Sequence, residues 1–211
     1  DYMTSIFIIS LITGTPSNAL YINEYLDKGL ITNNEAESLL LSTHFINPLF
    51  VVGMVGNVIF KSTKIGFIIL LTLWTSNLIK AYITRPRVYK NIDGKSISCN
   101  KSIINSFFAS IKQAIYALLT IMGIIILFNM LTILTREILN LNNTLSVIIN
   151  GILEMTGGVT KVSELNINTL LKIIMAYIML NFGGLSIHMQ AFSMLENKKI
   201  RYLKYLIFRL I

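Results

Sequence analysis

AIYALLTIMGIIILFNMLTIL, residues 114–134, contains no charged side chain. At 1.5 Å of rise per residue, about 20 apolar residues in a helix cross the roughly 30 Å of a bilayer's hydrocarbon. A second stretch, residues 65–79 within 64–84, holds Trp74 and a few small polar groups, and stays uncharged until Lys80. A large soluble core could bury two such helices only beneath a polar surface, and this chain lacks one. Hydrophobic residues make up 54% of its 211 positions and charged residues 13%, against about a quarter charged in a typical soluble domain. The expected fold class is therefore all-α, a polytopic membrane protein.

The net charge of +8 invites a nucleic-acid reading, but the placement of the charges argues against it. Lys80, Arg85, Arg87, Lys90, Lys95 and Lys101 fall between the two long spans, and Lys198, Lys199, Arg201 and Lys204 form a second cluster. Basic stretches beside apolar spans mark cytoplasmic loops and anionic lipid contact. No RNP-like motif or zinc-finger spacing accompanies them, so nucleic acid is not an expected partner. Cys99 is the lone cysteine; it forms no internal disulfide and reads as an inert thiol. The chain opens Asp1-Tyr2-Met3 and closes inside an apolar stretch, which reads as a piece of a longer protein.

Several apolar segments are interrupted where a membrane helix would be near mid-depth. Residues 6–12 break at Thr13-Gly14-Thr15-Pro16-Ser17-Asn18 and resume over 19–26. A helix from about Asn34, capped by Asn33 or Asn34 with Glu35 and Glu37 in its first turn, breaks at His44-Phe45-Ile46-Asn47-Pro48 and resumes over 49–60. Pro48 removes a backbone donor and clashes with the preceding turn, which predicts the break. The later part repeats the plan. A span over 111–134 leads to a short helix over 145–155, broken at Thr156-Gly157-Gly158-Val159-Thr160. A helix over 169–180 then breaks at Asn181-Phe182-Gly183-Gly184 and resumes over 185–195.

Each half thus reads as a broken hairpin, a helix broken near its middle, and a plain span. The first repeat covers residues 1–83 and the second 102–211, joined by a basic cytoplasmic loop at 84–101. With that loop inside, the second basic cluster also falls inside, as the positive-inside rule requires. The two hairpins then enter from opposite faces as re-entrant segments, which makes an inverted repeat, a plan common in secondary transporters.

Backbone groups freed within a bilayer must be buried in protein or line a wet cavity, and half-helix ends bind ions and polar solutes. The candidate solute- or ion-binding residues lie at the four breaks: Thr13, Thr15, Ser17 and Asn18; Ser42, Thr43, His44 and Asn47; Glu154, Thr156 and Thr160; and Asn181, Ser186, His188 and Gln190. Both histidines of the chain are among them. Glu154 is the one carboxylate in its apolar stretch, and an ionisable group at membrane depth points to function or to a buried partner such as Lys161. A structural interhelical bond is the competing reading of His44 and His188. Gly53 and Gly56 are expected to permit close helix packing. No G-x-S-x-G, P-loop, H-E-x-x-H or G-x-G-x-x-G is present, so no enzyme, cofactor or metal centre is expected. A coupling proton or sodium ion fits the transporter reading. The candidate partners are membrane lipid, a small polar solute and a second copy of the chain.

Several motifs carry a resemblance. Thr13-Gly14-Thr15-Pro16-Ser17-Asn18-Ala19, Gly29-Leu30-Ile31-Thr32 with Glu35-Ala36, Asn47-Pro48-Leu49-Phe50, and Phe182-Gly183-Gly184-Leu185-Ser186-Ile187-His188-Met189-Gln190 resemble the YlbJ-type sporulation integral membrane proteins, in the wider group with nucleoside-recognition, or gate, domains. Glu154-Met155-Thr156-Gly157-Gly158 is a looser match. The resemblance implies a fold like that of concentrative nucleoside transporters, which hold solute and cation between two hairpins and two unwound helices. Asn181-Phe182 with Ser186 looks like the unwound-helix signature of those proteins. The first hairpin tip carries no carboxylate, a departure from their pattern. The expected protein is transporter-like, linked to sporulation, in the bacterial cytoplasmic membrane. The alternative is a non-transporting scaffold or morphogenetic factor for the spore envelope.

Overall fold

The computed structural model describes residues 2–85, 102–195 and 200–210. Arg87, Lys90, Lys95, Cys99, Lys101, Lys198 and Lys199 lie outside them, and with them nearly all of the basic loop. Every regular element among the described residues is helical. Three helical stretches are long and apolar enough to cross a membrane, Thr63–Thr84, Ile103–Leu139 and Thr169–Ser193. The protein has an all-α polytopic membrane fold.

Local chemistry sets the helix starts. Helix α1 (Tyr2–Thr13) turns at Gly14 into α2 (Ser17–Asp27), the two forming the first hairpin. Helix α3 (Asn33–Ser42) begins one residue earlier than the asparagines suggest. Its cap is Thr32, whose hydroxyl accepts from the Glu35 amide while Glu35 Oε2 accepts from the Thr32 amide at 2.7 Å. This reciprocal pairing satisfies two end donors, and Asn33 and Asn34 sit inside the first turn. After the break the chain resumes as a π-helical segment, Phe50–Ile59, and then as α4 (Thr63–Thr84).

In the second half, α5 (Ile103–Leu139) is 37 residues long, about 55 Å at helical rise and longer than residues 111–134 alone. The second hairpin is α6 (Asn143–Leu153) with α7 (Met155–Val162); it turns at Glu154, and residues 156–160, expected to break it, run on as helix because the Glu154 carboxylate caps the Thr156 and Gly157 amides. Helix α8 (Thr169–Phe182) continues past the break at Gly183 as α9 (Gly184–Ser193), followed by α10 (Tyr202–Leu210).

The core has two lobes, and each mixes both halves of the chain. One packs Val51 and Val55 of the π segment and Ile69 and Leu73 of α4 against Val147, Val159 and Leu180 of the second half. The other packs Ile6, Ile22 and Leu40 of the first half against Ala191, Leu195 and Tyr205. The π segment crosses α4 closely at Gly56, where an added Cβ would lie 2.8 Å from the Gly66 Cα. Gly53 faces open space apart from Leu49, so the close crossing is made by Gly56 with Gly66. The outer surface is apolar: Phe107, Leu118 and Ile133 of α5 and Ile68 and Leu71 of α4 are all exposed. Such a coat suits hydrocarbon surroundings.

Candidate functional site

The break in the first half is bonded almost carbonyl by carbonyl. The Thr43 carbonyl accepts from Asn18 Nδ2 at 3.0 Å and from the Phe45 amide at 2.8 Å. The His44 carbonyl accepts from Asn77 Nδ2 of α4 at 2.8 Å. The Phe45 carbonyl accepts from the Thr15 amide at the hairpin tip at 2.7 Å. Gly14, at φ +76°, lies so close that a Cβ would meet the Asn47 amide nitrogen at 2.9 Å. Only glycine fits that conformation and that approach.

The second hairpin tip is organised differently. Glu154 is buried, and its carboxylate caps α7, accepting from the Thr156 amide at 3.1 Å and the Gly157 amide at 2.7 Å. It thus bonds the amides of its own helix start, where a negative charge also meets the favourable end of the helix dipole. The neighbouring break consists of Gly183 and Gly184, both at positive φ. A Cβ on Gly184 would lie 3.0 Å from the Met155 amide nitrogen, so this break rests on the backbone of its hairpin as the first one does.

The two breaks meet at His44. Its Nε2 lies 2.7 Å from where a Gly183 Cβ would stand. Its Nδ1 is hydrogen-bonded to the Tyr205 hydroxyl at 3.2 Å. His188 donates from Nε2 to the Phe182 carbonyl at 2.9 Å, and its Nδ1 lies 3.3 Å from the Tyr202 hydroxyl. The tyrosines of α10 therefore hold one histidine from each half.

Two further residues reach this centre. Lys80 is buried in α4, and its ammonium donates to Asn181 Oδ1 at 3.1 Å. In sequence Lys80 reads as the first charge of the basic loop; α4 instead continues a full turn beyond it, to Thr84. Arg209 is 1% exposed. Its Nη2 donates to the Leu41 carbonyl, and its guanidinium lies 5.2 Å from the Tyr205 ring centroid. Its Nε and Nη1 have no hydrogen-bond partner. Among the described residues, no ion pair joins either cation to a carboxylate.

The remaining sequence candidates divide. Thr15, Asn18, Thr43, His44, Asn181 and His188 lie at or beside the junction of the breaks, and Thr15 Oγ1, Asn18 Oδ1 and His44 Nε2 are buried without partners. Ser42 and Thr160 bond carbonyls of their own helices, and Gln190 bonds Ser186 on α9. Thr13 likewise bonds the Ile9 carbonyl. Asn47 is exposed and caps the Leu49 amide at 2.8 Å. Thr156 lends its amide to Glu154, and Ser17 opens α2. Lys80, Arg209, Asn77, Tyr202 and Tyr205 were not legible as site residues, because each lies in a span that looks plain in sequence.

No family model matches the chain, and no solved structure matches it. Among known proteins it is similar to the sporulation integral membrane protein YlbJ of Bacillus subtilis (strain 168), at 24% identity. The similarity covers 98% of this chain and 60% of that relative, so the chain spans less than two thirds of the relative's length. The protein is an integral membrane protein similar to YlbJ.

Proposed function

We propose that this chain is the solute-binding part of a transporter-like protein of the bacterial cytoplasmic membrane, linked to sporulation, and that the solute presents an anionic group. The observation that carries the reading is the pair of buried cations. The Lys80 ammonium donates to the neutral side-chain amide of Asn181, and Arg209 has two unpartnered donors. An unpaired charge at membrane depth is costly and is characteristic of solute pathways. An anion would relieve that cost when bound, with Asn181 and the unpartnered Nε2 of His44 beside it.

The two-repeat, gate-like architecture is part of the proposal. Its support is a recurring placement: each hairpin packs on the broken helix of its own half and on the resumed part of the other half's. The similarity to a sporulation integral membrane protein supports the sporulation link. The basic stretch at 84–101 supports a cytoplasmic side for that loop.

The test is thermal stability of the detergent-solubilised protein with carboxylates, phosphate, uncharged nucleosides and Na⁺. A ligand specific for the folded state at a hundredfold excess over its Kd adds about 2.7 kcal/mol. Anions should stabilise the wild type and lose that effect in Lys80→Met. Stabilisation by uncharged nucleosides alone would defeat the anion assignment. The second reading, a non-transporting scaffold, draws on the internal bonding of the first break; indifference to every compound would favour it.

A further inference from the structure

An apolar cleft of about 770 Å³ opens between α6, α8 and α10, within the roughly 300–1,000 Å³ range of small-molecule sites. Ile148, Ile152, Ile178 and Leu206 line it, and Asn181 and Arg209 also belong to its wall. Ile148, Ile152 and Ile178 are exposed, so the mouth faces outward through the apolar flank of these helices. That flank is where a bilayer's acyl chains lie. Arg209 is almost wholly enclosed, yet its Nε and Nη1 are unpartnered. The cleft therefore joins a hydrocarbon-facing entrance to a cation that has no carboxylate partner among the described residues.

From this juxtaposition we infer that the occupant is a single-chain lipid anion, its carboxylate at Arg209 and Asn181 and its acyl chain along the cleft. The inference rests on the reading of Lys80 and Arg209 as an anion site. A chain already in hydrocarbon gains little by moving to an apolar groove. Recognition therefore comes from the charged head, while the apolar wall determines which anions can approach from the bilayer. One cleft of this size accepts one chain, which favours a fatty carboxylate over a two-chain phospholipid.

The test uses the full chain in phosphatidylcholine nanodiscs with stearic acid spin-labelled near the end of its chain, at a pH that ionises the carboxyl. Electron paramagnetic resonance reads the motionally restricted fraction, and the methyl ester serves as the uncharged control. The acid should be restricted severalfold more than the ester. Ile152→Trp, which fills the cleft from an exposed position, and Arg209→Gln should each abolish that preference; Arg209→Lys should retain part of it. Oleate should displace the label, and succinate or phosphate should not. Equal restriction of acid and ester, or an acid preference unchanged in Ile152→Trp, overturns the inference. Thermal stabilisation by succinate or phosphate that survives Ile152→Trp overturns it while leaving the anion site intact. If neither fatty acid nor soluble anions distinguish wild type from Lys80→Met, both readings fall. Should Arg209→Gln fail to fold, Ile152→Trp decides the question.

Discussion

The two halves interrupt their helices in the same places and solve the resulting hydrogen-bond problem in opposite ways. In the first half, neutral groups meet the carbonyls within the break, Asn18, Asn77 and the Thr15 amide, and Arg209 meets only that of Leu41 at the end of α3. In the second, two glycines shorten the break to a single kink, and charged groups gather around it. Glu154 caps the hairpin helix, and Lys80 reaches across from the first half to Asn181. The first break still holds buried polar atoms without partners, Thr15 Oγ1, Asn18 Oδ1 and His44 Nε2, and all of them are neutral groups. Where the two breaks meet, Lys80 and Arg209 have no carboxylate partner among the described residues. Similar backbone plans therefore carry unequal chemistry, neutral at the first break and charged where it meets the second.

The contrast can be broken at several points. The largest effect on stability is expected in the tight second hairpin, where a Cβ on Gly158 would overlap the Gly151 backbone. Gly158→Ala should cost about 3 kcal/mol, since backbone cannot yield as a side chain does; an unfolding midpoint close to wild type would show that the hairpin is looser than described. In the first half, Asn77→Leu strands the buried His44 carbonyl and should cost about 1–2 kcal/mol, with ligand stabilisation retained. Loss of ligand stabilisation there would move the site toward the first break.

Glu154→Gln sharpens the comparison further. It keeps one acceptor for two amides, so a loss of about 1 kcal/mol is expected, as for a weakened helix cap. If the anion reading holds, anion stabilisation persists in this variant; its disappearance would give Glu154 the solute role its position in the sequence suggests. The smallest effect is expected at Glu37, whose Oε1 pairs with Lys204 at 2.6 Å and Arg201 at 3.2 Å. Both partners are substantially exposed, so Glu37→Gln should cost under about 1 kcal/mol, and less in high salt. A larger loss in an equilibrium unfolding measurement would mean that this tie between α3 and α10 holds the halves together.

Helix breaks were the legible part of the site. Pro48, Gly14 and the Gly183-Gly184 pair declare themselves through backbone chemistry alone, and each falls where the chain bends. Glu154 was legible as an anomaly, a carboxylate in an apolar run, but its partners were not. An acid two and three residues before free amides at a helix start has a local solution that the search for a distant cation overlooks. The opening of α3 shows the same limit on a smaller scale, because Thr32 and Glu35 cap it together while two asparagines stand beside them in sequence.

By itself, the sequence determined that this chain is a helical membrane protein and where three of its four helix breaks fall; the break expected at residues 156–160 lies instead at Glu154. Both follow from local properties: the length of uncharged runs, and the residues that cannot continue a helix. Only the tertiary structure decided which polar groups meet. Lys80 closes an apolar span and reads as a loop charge, until the fold lays Asn181, 101 positions away, over its ammonium. Arg209 reads as one cation in a short apolar segment, until α10 packs on α3 and buries it with no carboxylate partner among the described residues. A side chain's charge is local, but its burial and its partners depend on helices distant in the chain.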